Sequence, residues 1–176
     1  GSNFIETGPF FVELTRQYSE ARDLATHSDG GARMISIAPR LSLTTGNADQ
    51  WIAAKPGSEG PIALALAAML HAKGARTGGD DEAVAGLLGR VNPKKIAKAS
   101  GIEFAELQGL AKQLQAAKTA VALPPGVAST GSNAASAAAA VLLLNGLLGA
   151  IGGAVQVPAS DVAGAPDSMK TVMGLV

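Results

Sequence analysis

Met34-Ile35-Ser36-Ile37-Ala38-Pro39, and then Trp51-Ile52-Ala53-Ala54-Lys55-Pro56-Gly57-Ser58-Glu59-Gly60-Pro61-Ile62, decide how this chain is built. Met34 to Ala38 is apolar, too short for a helix and stopped by a proline. It reads as a buried strand of the parallel kind. Trp51 to Ala54 reads as a second short strand, and Leu41 to Asp49 between them as an irregular polar connection. Lys55-Pro56-Gly57 is a turn. Ser58 or Glu59 stands where a helix needs an N-cap, and Pro61 suits a first turn. Ile62 to Ala72 is then a helix of Ala and Leu, buried on most sides.

Working outward, Phe10 to Ala25 has Phe11, Leu14 and Tyr18 at helical spacing and reads as a helix ended by Ser28-Asp29-Gly30-Gly31. Glu82 to Leu88 is a short helix. Asn92 is a natural N-cap with Pro93 at N1 for the next. Glu103 to Ala117 is the most regular amphipathic segment, with Phe104, Leu107, Leu110, Ala111 and Leu114 on one face. Thr119 to Leu123 reads as a third strand, stopped by Pro124-Pro125-Gly126. Asn133 to Leu148 is an Ala-rich helix. Strands that alternate with helices predict an α/β fold with a parallel sheet covered by helices. The chain opens on a Gly-Ser-Asn turn and a helix without a strand to feed them. That order implies a first strand upstream, in a longer polypeptide.

Composition bounds the function. Fourteen basic and fourteen acidic residues give a net charge of zero, so no basic surface steers nucleic acid. A neutral chain has little self-repulsion and suits a piece of a larger assembly. Aromatics are only 3% of 176 residues, which argues against a stacking platform for bases or sugars. There is no cysteine, hence no thiolate cluster or cysteine zinc site in this segment. No metal site is expected. Ala134 to Ile151 is apolar, but alanine contributes little to insertion and Ser136, Asn145, Gly146 and Gly149 interrupt it. A buried helix is the reading, with no direct membrane span.

Three stretches resemble the dinucleotide-binding α/β region of the molybdopterin oxidoreductase superfamily. Gly1-Ser2-Asn3-Phe4 with Glu6-Thr7 looks like the family's Gly-x-Asn-Pro turn after a first strand. Ile35 through Pro39-Arg40-Leu41-Ser42, Ala48-Asp49-Gln50-Trp51 and Pro56-Gly57-Ser58-Glu59 looks like its Asp-Pro-Arg, Ala-Asp-x-Trp and Pro-Gly-Thr-Asp series, in the same order. Leu142-Leu143-Leu144-Asn145-Gly146 through Gly152 looks like its Leu-Leu-Asn and Gly-Asn-x-Gly. The resemblance implies a Rossmann-like parallel sheet flanked by helices over residues 1–153, a segment of a larger molybdoenzyme-type subunit; residues 154–176, rich in Pro, Gly and Ala, read as an irregular tail. The phrases Pro39 to Thr44 and Asn47 to Ile52 most resemble the large iron–sulfur subunit of alternative complex III, a branch without the molybdenum cofactor. That implies a scaffold in a quinol-oxidising respiratory complex that passes electrons to cytochrome c or a similar carrier. It also implies iron–sulfur clusters elsewhere in the polypeptide, other subunits as partners, and the periplasmic side of a bacterial inner membrane.

In members that bind a pterin guanine dinucleotide, the glycine turn approaches a phosphate, and an acid at the tip of the next strand binds sugar hydroxyls or the guanine edge through charge-assisted bonds. Here Ala38 stands in that acid's place. Loss of such an anchor costs roughly 1.5–3 kcal/mol, about tenfold to a hundredfold in binding. Phe4 replaces the turn's proline, and Glu59 keeps an acid at the second place. No catalytic residue and no cofactor contact are expected. If molybdopterin guanine dinucleotide is bound after all, as in a polysulfide or tetrathionate reductase, Asn3, Arg40 and Glu59 are the contacts. Each has a plainer reading: Glu59 as a helix N-terminal charge, and Arg40 as an exposed or paired arginine. Asp49 would order its loop and Trp51 sit in the core. His71 would close a helix and His27 occupy a turn, and two distant histidines without a nucleophile make no triad. Ser129 to Asn133 reads as a helix cap or an anion-binding nest.

Overall fold

The computed structural model describes residues 2–7, 10–27, 31–126 and 133–156. In chain order it builds α1 (Phe11–Ala21), β1 (Ile35–Ala38), α2 (Leu43–Gly46), β2 (Gln50–Ala53), α3 (Glu59–Ala72), α4 (Asp81–Leu88), α5 (Pro93–Ser100), α6 (Phe104–Ala116) and α7 (Ala134–Leu147). β1 and β2 pair in parallel, Ile35 against Gln50 through Ala38 against Ala53. The architecture is therefore α/β, mostly helical, with a two-stranded parallel sheet among the described residues.

α3 is the centre of the molecule, as its all-round apolar sequence requires. Ile62, Ala63, Ala65, Leu66, Ala67 and Leu70 are all buried along it. α4, α5, α6 and α7 pack around it. α7 comes closest at Gly60, where a Cβ would stand 3.0 Å from the Ala137 Cα. Small residues on both helices let the backbones approach, and dispersion contacts do the rest. α6 turns its expected stripe inward, with Leu107, Leu110 and Ala111 buried. α5 begins as the sequence predicts: Pro93 follows Asn92, whose Oδ1 accepts from the Lys95 N–H at 3.0 Å. It ends at Gly101, whose φ of 75° favours glycine.

Four expectations need correction. Leu41 to Asp49 is not wholly irregular: Ser42 caps the short helix α2, its Oγ accepting from the Thr45 N–H at 3.1 Å. Phe10 to Ala25 is helical only over Phe11–Ala21. Ser58 occupies the α3 N-cap without capping it; its hydroxyl donates to the Lys55 carbonyl instead. Thr119 to Leu123 forms no strand among the described residues: Thr119 lies in a bend and 120–123 have no regular structure. The Asn145 carboxamide takes the place of a strand there. It accepts from the Ala122 N–H at 2.8 Å and donates to the Ala122 carbonyl at 2.9 Å. A side chain from α7 thus satisfies what a ladder would.

The expected tail lies mostly outside the described residues, as do Ser129 to Ser132. Asn133 sits at the α7 N-cap and makes no capping bond there. Ile151 and Val155 form a small parallel bridge beyond α7. No described helix is long and apolar enough to cross a membrane.

Candidate functional site at the carboxyl ends of the strands

In open parallel sheets, ligands bind outside the carboxyl ends of the strands. Here that end carries residues 2–7, the β1–α2 turn, Trp51 and the start of α3. The Ser2–Thr7 turn is latched to α2 by three contacts. Ser42 Oγ donates to Asn3 Oδ1 at 3.0 Å, the Ile5 N–H donates to Thr44 Oγ1 at 3.2 Å, and the Leu43 N–H donates to a Glu6 carboxylate oxygen at 3.1 Å. Behind this latch, Ser36 and Thr45 hydroxyls share a buried bond at 3.1 Å. Glu6 therefore places the chain's own negative charge on an N–H of the α2 first turn, the type of donor that a phosphate would use.

The strand tip is covered in the same way. Ala38 is buried, 4% exposed, and its carbonyl accepts from the Trp51 indole N–H at 3.0 Å. Trp51 is 42% exposed, so the expectation that it lies in the core is corrected. A strand residue whose in-register partner is Ser36 points away from the α3 side, where Ile37 and Ile52 are paired. Trp51 lies over the Ala38 tip because its N–H finds a carbonyl there.

Asp49 orders its loop, as expected. It takes a two-pronged ion pair from Arg22 at 2.6 and 2.8 Å and accepts from the Met34 N–H at 2.7 Å. The Arg22 bonds, helped by the Met34 N–H, lower the Asp49 carboxyl to about 2 against the cost of burial. Arg22 also stacks over the Tyr18 ring, 5.3 Å from its centre, and Tyr18 donates to the Asn47 carbonyl at 3.0 Å. Phe4 meets Tyr18 edge to face at 5.7 Å. These contacts hold α1 to the sheet, since none of its own residues is buried.

The three alternative cofactor contacts all stand at this end of the sheet. Asn3 is bonded to Ser42. Arg40 is exposed and makes no hydrogen bond or ion pair among the described residues. Glu59 is the first residue of α3, half-buried beside an apolar groove. No contact joins the three. His71 is in the last turn of α3, and the exposed His27 shares a hydrogen bond with the neighbouring Thr26 hydroxyl at 2.9 Å, so the two histidines are far apart in the chain. No group of three metal-ligating side chains occurs among the described residues. The sequence reading missed Glu6 as a cap and Asn145 as a backbone partner.

No protein-family model matches the chain. The menaquinone reductase, molybdopterin-binding-like subunit of Nitratidesulfovibrio vulgaris is 33% identical over 131 residues, which is 72% of this chain and 19% of that protein. The thiosulfate reductase molybdopterin-containing subunit PhsA of Salmonella typhimurium is 36% identical over 50 residues, 28% of this chain and 7% of that protein. The chain thus matches about a fifth of the length of the first relative and less than a tenth of the second. Both similarities support a place in the molybdopterin oxidoreductase superfamily.

Proposed function

We propose that this chain is a structural α/β part of an electron-transfer subunit in a quinone-linked respiratory complex, and that it holds no cofactor and performs no chemistry of its own. The observation that carries this reading is the self-filled strand end: Ala38 is buried with its carbonyl bonded to the Trp51 indole, and Glu6 occupies a donor of the α2 first turn. A guanine dinucleotide would have to displace both. The relative named as a menaquinone reductase subunit, itself called molybdopterin-binding-like, fits a quinone-linked parent. The finer assignment is a quinol-oxidising complex of the alternative complex III type, on the periplasmic side of a bacterial inner membrane. It rests on the phrases Pro39 to Thr44 and Asn47 to Ile52, as do iron–sulfur clusters elsewhere in the polypeptide. In this reading residues 1–153 are one Rossmann-like unit.

A second reading has a specific observation behind it. The other relative is named as molybdopterin-containing, and Asn3, Arg40 and Glu59 stand at the strand ends where a pterin guanine dinucleotide would lie. Metal and pterin analysis of the purified subunit containing this chain separates the two. Iron without molybdenum, tungsten or pterin is the expected result. Stoichiometric molybdenum or tungsten with pterin would replace the scaffold with an active molybdoenzyme.

A further inference from the structure

Residues 83–102 hold Arg90, Lys94, Lys95 and Lys98 and no acid, in a chain of zero net charge. α5 turns its lysines outward: Ala97 and Ser100 are buried on its inner face, while Lys94, Lys95 and Lys98 are exposed, as is Arg90 ahead of them. Lys55, also exposed, extends the row. Its N–H donates to the Ser100 carbonyl at 3.0 Å, and its stem runs past the end of the helix, where a Cβ on Gly101 would meet Lys55 Cε at 3.5 Å. None of these cations makes an ion pair among the described residues, and neither does Glu103, the next acid in the chain.

This layout works against the helix that holds it. Lys94 and Lys95 stand in the first turn, where the macrodipole is positive and favours acids. α1, α3, α4 and α6 each place an acid there, namely Glu13, Glu59, Asp81 with Glu82, and Glu106; α5 places none. Lys94 and Lys98 are also four positions apart, so like charges share one face. The Phe104 ring, 5.5 Å from the Lys94 ammonium, and the place of Lys98 in the last turn offset part of this. The Lys95 side chain has no such compensation among the described residues. A helix that breaks a local charge rule and leaves its cations unpaired presents them to something outside the chain.

We propose that α5, with Arg90 and Lys55, is the face by which this chain lies on an anionic lipid surface. The kind of side chain decides between the possible acidic partners. All but Arg90 are lysines, which are flexible point charges; a fixed carboxylate would favour the two-pronged fork of arginine. The centres of protein interfaces are also poor in lysine. A headgroup surface asks only for a row of mobile cations, each worth about fivefold in partition. Leu87, 52% exposed, accepts from the Arg90 N–H through its carbonyl, so an exposed apolar residue stands at the end of the row. Nucleic acid calls for a basic excess that a chain of zero net charge lacks. The contact is one of surfaces and not a span. It goes beyond the scaffold reading and does not rest on it.

The test sediments the whole chain with vesicles of phosphatidylcholine containing roughly one-third phosphatidylglycerol, and with vesicles of phosphatidylcholine alone, at about 0.1 M salt. Partition onto the anionic vesicles should be stronger by at least about a hundredfold, and Lys94→Gln with Lys95→Gln and Lys98→Gln should weaken it by about a hundredfold. Removing as much charge from exposed lysines elsewhere, by Lys73→Gln, Lys112→Gln and Lys118→Gln, should weaken it by less than about threefold. Lys95→Glu separates this use from a structural one. It puts an acid in the first turn of α5, so it should raise the melting temperature by about 1–4 °C while weakening partition about twentyfold. A lowered melting temperature would make Lys95 a structural group and overturn the proposal. Equal partition onto the two kinds of vesicle overturns it, as does an equal loss in the two triple variants. Retention on immobilised polyglutamate without partition onto either vesicle would give the face to an acidic protein, and tighter binding to duplex DNA than to anionic vesicles would give it to nucleic acid; each overturns the lipid assignment.

Discussion

Replacing Asn145 with leucine isolates the contact that stands in for a strand ladder. Asn145 is 5% exposed, and its carboxamide makes both of its bonds to the backbone of one residue, Ala122, accepting at 2.8 Å and donating at 2.9 Å. Leucine keeps the branched shape of the side chain with bulkier methyl ends, and the Ala122 N–H and carbonyl lose their partners together. Each orphaned group costs about 1–3 kcal/mol when dry. Ala122 is only half-buried, so water recovers part of that. The expected loss is about 2–3 kcal/mol, roughly a 30- to 150-fold shift in the unfolding equilibrium. Urea unfolding followed by far-ultraviolet circular dichroism reads it, with the single Trp51 as an independent fluorescence probe. Asn145→Asp serves as the control: it keeps the acceptor, loses the donor and buries a carboxylate, so it should be at least as damaging at neutral pH. An Asn145→Leu protein within about 0.5 kcal/mol of the parent would refute the claim that this side chain organises residues 119–123.

Three further outcomes follow from the same structure. Gly60→Val puts a branched Cβ about 3.0 Å from the Ala137 backbone, and should cost about 2–3 kcal/mol, lowering the melting temperature by about 4–12 °C in a scanning calorimeter. Asp49→Asn should cost about 1 kcal/mol at neutral pH after allowance for solvent screening. Because the folded-state carboxyl is depressed to about 2 from 3.8, that difference is present above about pH 4 and disappears as pH falls toward 2, which a series of unfolding curves against pH would trace. Ala38→Asp places a carboxylate at a buried position next to the Trp51 hydrogen bond. It should lower stability by several kcal/mol and create no measurable affinity for GDP by titration calorimetry; micromolar GDP binding would mean that Ala38 alone had closed the site.

The elements with strong local signals were legible in the sequence. β1 and β2 are short apolar runs between turn formers, α5 has its Asn92-Pro93 start, and α6 has one apolar face. All depend on interactions within a few residues. The misreadings share a different cause. Thr119 to Leu123 has the composition of a strand, but pairing is decided by what lies beside it, and Asn145 comes from a helix more than twenty positions later. Trp51 is expected in the core and is 42% exposed. Its burial depends on which sheet face it occupies and on an N–H that seeks the Ala38 carbonyl. At the strand ends, the alanine at position 38 was legible as a missing acid. The Glu6 cap was not, because a carboxylate thirty-seven positions from Leu43 leaves no mark in local spacing.

The environment of Ala38 changes what its substitution means. A lost ligand in an otherwise open site would leave a cavity where the carboxylate had been, and restoring the acid would restore binding. Here three separate features occupy the same end of the sheet: a buried methyl at position 38, an indole hydrogen-bonded to that residue's carbonyl, and a carboxylate already on the Leu43 N–H. Each alone weakens a nucleotide site by removing an anchor or an available donor. Together they make the protein's own groups the ligand, so that a nucleotide would compete with intramolecular contacts at high effective concentration. Trp51→Ala with Glu6→Ala should therefore expose the strand tip and the α2 first turn without producing guanine-nucleotide binding, because Ala38 still offers no acceptor. Adding Ala38→Asp to that pair is the combination in which affinity should first appear, as weak, millimolar binding. Affinity in the Ala38→Asp single variant equal to that of the triple variant would show that Trp51 and Glu6 do not fill the site.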